Sequence, residues 1–71
     1  MMGKFDYKGY YQKLFSVPIK LHDVYEEPNT GSTYALISTG NGWFVVYPGN
    51  DAGEYGHDES GARKEWKRIK G

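Results

Sequence analysis

The stretch Tyr34 to Pro48, YALISTGNGWFVVYP, decides the fold, because two runs rich in β-branched and aromatic residues flank Gly40-Asn41-Gly42 and so predict a β-hairpin. A type I′ turn at Asn41-Gly42 and a type II′ turn at Gly40-Asn41 differ in which residues oppose each other but not in which share a face. One face holds Tyr34, Leu36, Ser38, Trp43, Val45 and Tyr47; the other holds Ala35, Ile37, Thr39, Phe44 and Val46. Since both are apolar, the hairpin is expected at the centre of a sheet, covered on two sides or rolled into a small barrel.

Upstream, Phe15, Val17, Ile19 and Leu21 alternate with Ser16, Pro18, Lys20 and His22, the period of a half-buried strand. This predicts strands near 14–22, 33–39 and 43–48, with the first at an edge because Pro18 cannot donate to a ladder. Glu26 to Ser32 gathers turn formers. The first dozen residues stay open: Tyr7, Tyr11 and Leu14 fall at helical spacing, while Gly3 and Gly9 each weaken a helix by about 1 kcal/mol relative to Ala. Downstream, residues 49–61 (GNDAGEYGHDESG) read as a long, exposed, acidic, glycine-rich loop. Ala62, Trp66 and Ile69 then recur at helical spacing, predicting a short C-terminal helix near 60–69 with Ser60 as its cap. The expected class is therefore α+β, mostly β, in one small domain spanning 1–71. A final strand through Trp66 is the alternative, and it would give a small β-barrel of SH3-like architecture.

Seventy-one residues lie near the lower limit for a single hydrophobic core, and with no cysteine there is neither a disulfide nor a thiolate metal site. Twelve aromatics supply the large side chains that such a core needs. No run reaches the roughly 18 apolar residues of a membrane span, and the N-terminus lacks the apolar stretch of a signal peptide, so a cytoplasmic protein without membrane contact is expected. The net charge of zero hides a segregation. Residues 1–20 carry +3, residues 21–59 carry −7 with no Lys or Arg, and residues 60–71 carry +4. Termini lying side by side would turn this into a basic pole against an acidic remainder.

Candidate chemistry is sparse. His22-Asp23 and His57-Asp58-Glu59 offer metal-ligand types, but neighbours on a strand point to opposite faces, which makes the first pair poor joint ligands. The acids after Asp51 lack the ligand spacing of a calcium loop, and the glycines of 49–61 are followed by no phosphate-binding GK[ST]. No serine sits in a nucleophile elbow. Neither an enzyme nor a cofactor is expected, and no small-molecule substrate is evident.

Two surfaces remain as partner-binding candidates. The first is the aromatic hairpin face of Tyr34, Trp43 and Tyr47, which is either an interface anchor or core covered by Trp66 and Ile69. The second is the basic outer side of the C-terminal helix, with Arg63, Lys64, Lys67, Arg68 and Lys70. The expected function is a small non-enzymatic protein-binding module using this basic face and the acidic loop. Phages and mobile elements often encode such accessory chains to modify a host protein. Nucleic-acid binding through the same cations and aromatics is one alternative, opposed by the zero net charge. A subunit of a homo-oligomer is the other.

Overall fold

The computed structural model of the chain describes residues 5–49 and 54–71, the backbone alone over 54–57. The elements run α1 (Tyr7–Gln12), β1 (Lys20–Glu26), β2 (Thr33–Thr39), β3 (Gly42–Val46), β4 (Glu54–His57) and α2 (Glu59–Lys70). The fold is α+β, as expected: an open antiparallel sheet in the order β1-β2-β3-β4 with a C-terminal helix. The final segment is a helix and β1 and β4 stay unjoined, so the SH3-like barrel with a closing strand is not formed.

Hairpin β2-β3 occupies the centre of the sheet, and its two apolar faces are buried against different elements. Ala35, Ile37 and Val46 pack with Tyr11 of α1 and Ile19, joined at the margin by Tyr7, Phe15 and Leu21. On the other face Leu36 and Val45 pack with Ala62 and Trp66 of α2, flanked by Tyr25, Tyr34, Trp43, Tyr47 and Ile69. Leu36, Ile37, Val45 and Val46 are fully buried, each contributing about 1.5–3 kcal/mol of transfer free energy. Thr39 opposes Gly42, which leaves Gly40 and Asn41 as the loop. The positive φ falls on Gly42 (142°), and no non-glycine residue described has one, so the turn is not of the primed type that the sequence suggests. Thr39 Oγ1 accepts the Asn41 amide at 2.9 Å and holds the reversal.

Three boundaries differ from the sequence reading. The first strand lies at 20–26 rather than 14–22. Residues 15–19 do alternate between burial and exposure, but they form a connector laid on the sheet face. Gln12 supplies the missing partners there: its Nε2 donates to the Val17 carbonyl at 2.8 Å and its Oε1 accepts the Ile19 amide at 3.0 Å. Side-chain alternation thus reports burial without a ladder, and ladder pairing starts only beyond Pro18.

The segment 49–61 is not one long loop, since its second half contains β4, paired to β3 from Trp43↔His57 to Val46↔Glu54, and the start of α2. Its glycine and acid content hides a strand whose backbone extends the sheet. Residues 50–53 of that expected loop lie outside the described residues. Helix α2 is capped by Asp58 rather than Ser60: the carboxylate accepts the Gly61 amide at 2.8 Å. A carboxylate at that position also meets the positive end of the helix dipole.

Candidate functional site

The opposite placement of the two helices removes the basic pole imagined from the charge map. Lys8 lies on α1, which covers one face of the sheet, and the C-terminal cations lie on α2, which covers the other. Within α2, Arg63 pairs with Glu59 at 2.9 Å, and Arg68 Nε donates to Glu65 at 2.9 Å. Lys70 reaches Asp23 on β1 at 3.2 Å. Lys64 and Lys67 are exposed, and no ion pair holds either among the described residues. Of the five expected cations, these two are the ones facing outward unengaged.

Trp43, Tyr34 and Tyr47 line the α2-facing side of the hairpin and are half-buried there. His22 stacks on the Trp43 ring (centroids 4.3 Å apart, planes 17° apart), and the Arg63 guanidinium lies 5.0 Å from the Trp43 centroid. Tyr34 and Tyr47 meet edge to face at 5.6 Å, and the Tyr47 hydroxyl donates to Glu65. Hydrogen bonding from Arg68 holds the Glu65 carboxyl below the usual carboxylate range, against a smaller opposing effect of desolvation. These aromatics bind α2 to the sheet more than they offer a surface.

A bulge in β1 changes the expected geometry of His22 and Asp23. Leu21 opposes Ile37 and Asp23 opposes Leu36, so His22 is the additional residue. Leu21 points to the α1 side, whereas His22 and Asp23 both point to the α2 side. The expectation that they face apart is therefore wrong, because strict alternation stops at a bulge. They still serve separate partners. His22 Nε2 is hydrogen-bonded with Ser38 Oγ at 2.7 Å, while Asp23 Oδ2 accepts the Trp66 indole N–H at 3.0 Å. Burial raises the Asp23 carboxyl, but the hydrogen bonds from Trp66, Lys70 and the Val24 amide outweigh it and leave the group below its ordinary value.

A further concave surface lies on the α1 side. A groove of about 390 Å³ runs between α1, the turn at Gly31–Thr33 and the chain leaving β3 at Tyr47–Gly49. Its outer walls include Phe5, Tyr10 and Leu14, which remain 59%, 51% and 43% exposed, the large apolar side chains most open to solvent among the described residues. The rings brace one another: Phe5 meets Tyr7 at 4.7 Å and Tyr10 at 5.7 Å, and Tyr10 meets Tyr11 at 5.0 Å. At one margin the Tyr7 hydroxyl donates to Glu26, and that hydrogen bond raises the phenol's pKa.

Of the partner-binding candidates read from the sequence, only Tyr47 lines this groove. The signal was nevertheless present. Residues 5–15 hold Phe5, Tyr7, Tyr10, Tyr11 and Phe15, five of the twelve aromatics, and a single helical stripe cannot bury all of them.

Among the described residues no group of three or more His, Asp or Glu side chains gathers into a metal-holding cluster, and no helix is long and apolar enough to cross a membrane. Comparison with protein-family models, with curated proteins and with solved structures yields no match.

Proposed function

We propose that this domain is a small non-enzymatic protein-binding module whose contact surface is the aromatic groove beside α1. One observation carries the reading: Phe5, Tyr10 and Leu14 stand exposed around a concavity in a chain with little core material to spare. Tyrosine and phenylalanine are favoured anchors at interfaces, since they contribute large rigid area for few frozen rotamers. The test compares proteins retained from lysate by the wild-type domain and by Phe5→Ser/Tyr10→Ser. Both rings are about half exposed and in contact with neighbouring rings, so the comparison is made at a temperature well below the variant's own thermal midpoint. Loss of a stoichiometric partner on the groove variant supports the reading; retention of that partner, or no partner for either protein, overturns it.

A second reading is favoured by the outward Lys64 and Lys67 on α2. An acidic protein surface or a nucleic-acid backbone would be their counterpart, with recognition that weakens steeply as salt rises. Lys64→Glu/Lys67→Glu abolishes binding of that kind and leaves the groove intact. A complex insensitive to both this variant and salt excludes it.

A further inference from the structure

We propose that the groove's ligand is a proline-rich peptide segment in the polyproline II conformation, carrying a basic residue at the Glu26 end. This rests on the reading of the groove as the contact surface and adds the class of partner. Four features of the groove select that ligand over other peptides.

The first is Tyr11. It lines the groove, is only 3% exposed, and its hydroxyl has no hydrogen-bond partner among the described residues. A buried hydroxyl left unpaired costs about 1–3 kcal/mol, so the site is poised for an acceptor brought by a ligand. Desolvation pushes the phenol up to about 12, so it stays a donor throughout the physiological range. The second feature is the set of braced rings along the exposed wall, whose faces and edges suit compact, rigid pyrrolidine rings.

Together these two discriminate between backbone conformations. A polyproline II segment makes no internal hydrogen bonds, so its carbonyls are free to accept from tyrosine hydroxyls while its rings pack on aromatic walls. An amphipathic helix has already used its interior carbonyls, so the part of it that lies along a groove brings no backbone acceptor to Tyr11. An added β-strand requires an open sheet edge, whereas β2, which borders the groove at Thr33, is already paired with β1 and β3.

The third feature is Gly31, whose φ of 76° and missing side chain leave the backbone wall open to close approach. The fourth is charge. Glu26 is exposed, accepts from the groove residue Tyr7, and has no cationic partner among the described residues. Lys8 and Lys13 lie off the stripe of α1 that lines the groove. The local field at that margin therefore favours an arginine or lysine on the peptide.

The experiment measures fluorescence anisotropy of labelled ten-residue peptides titrated with the full chain. The probes are a polyproline peptide ending in arginine, the same peptide ending in glutamate, and an arginine-ended alanine peptide. The arginine-ended polyproline is expected to bind at least about tenfold more tightly than the alanine peptide. Tyr11→Phe should weaken it by about two- to tenfold while its thermal midpoint stays equal to or above that of the wild type, since an unpaired buried hydroxyl has been removed. Glu26→Gln should erase the preference for arginine over glutamate.

Equal binding of polyproline and alanine peptides, or binding of neither, overturns the inference. Full affinity in Tyr11→Phe overturns the role given to its hydroxyl and with it the selection of polyproline II. If the peptides fail while Phe5→Ser/Tyr10→Ser still loses its lysate partner, the groove stands as contact surface and only the peptide class falls. If that variant keeps its partner, the functional reading itself falls.

Discussion

Replacing Asp23 by alanine tests how α2 is fastened to the sheet. The Asp23 carboxylate accepts from the Trp66 indole at 3.0 Å, from the Val24 amide at 2.9 Å and from Lys70 at 3.2 Å. Trp66 is 6% exposed, so Asp23→Ala strands its indole N–H in a largely dry site, a loss of about 1–3 kcal/mol. The Lys70 pair is roughly half exposed on both sides and adds about 0–1 kcal/mol. A total near 2 kcal/mol is large for a chain of this size, whose whole stability is about 4–11 kcal/mol. The thermal midpoint should fall by roughly 8–16 °C. Asp23→Asn keeps an oxygen for the indole and should cost about 0.5–1 kcal/mol. In a Trp66→Phe background, where no indole remains, Asp23→Ala should lose only the ion pair and the Val24 hydrogen bond. The carboxyl's folded pKa lies below its unfolded value, so its contribution is present above the unfolded value and disappears as pH falls through the folded one. Asp23→Asn should therefore flatten the acid limb of the stability curve below about pH 4. A midpoint for Asp23→Ala within measurement error of the wild type, or an undiminished effect in the Trp66→Phe background, would refute the fastening role.

Three further substitutions probe the frame around the groove and the helix contacts. Gly31 has a φ of 76° with open space where a Cβ would stand, so Gly31→Ala should lose about 1–2 kcal/mol from backbone strain alone, measurable by urea denaturation. At Gly9 an added Cβ would meet the Asp6 carboxylate 2.3 Å away and displace the cap that accepts the Gly9 amide at 3.0 Å. Gly9→Ala should thus be near neutral in the wild type and stabilise Asp6→Ala by about 1 kcal/mol, read from the same denaturation curves. Ala62 is fully buried between α2 and the hairpin, and Ala62→Leu should overpack that contact by about 1–3 kcal/mol, with a lowered thermal midpoint.

The hairpin and the C-terminal helix were legible because their signals are local: period-two faces around a glycine turn, and an apolar triplet at helical spacing. What escaped depends on contacts distant in sequence. Strand β4 has too few apolar side chains to announce itself, and it exists because β3 offers an unpaired edge. The bulge at His22 leaves no mark in the alternation before it, so strict period two assigns His22 and Asp23 to opposite faces where the register shift puts them on one. Gln12 could not be recognised as the residue that makes a connector look like a strand, since its two hydrogen bonds reach five and seven residues along an irregular path. The groove was half visible. Its aromatics stand in the sequence, but the choice between helix and coil before residue 13 turned on Gly9, which is tolerated because its amide is taken by the Asp6 cap.

The groove follows from an imbalance between the two covers of one hairpin. Both hairpin faces need burial, and α2, with twelve residues, covers one of them across β2, β3 and β4. Helix α1 has only six residues and shares the opposite face with an irregular connector, so the helix places Tyr11 and the connector Ile19 in the core while the neighbouring rings stay at the margin. A longer or more aliphatic first helix would have buried that margin and gained stability by it. Instead the sequence places Phe5, Tyr7 and Tyr10 there, with Phe5 in ring contact with both tyrosines, beside a buried hydroxyl and an exposed carboxylate. Core demand explains Tyr11 and part of Tyr7, but not Phe5 or Tyr10, whose exposed area contributes little to folding. That residue of aromatic surface, unexplained by the fold's own needs, is the physical ground for assigning recognition to the α1 side.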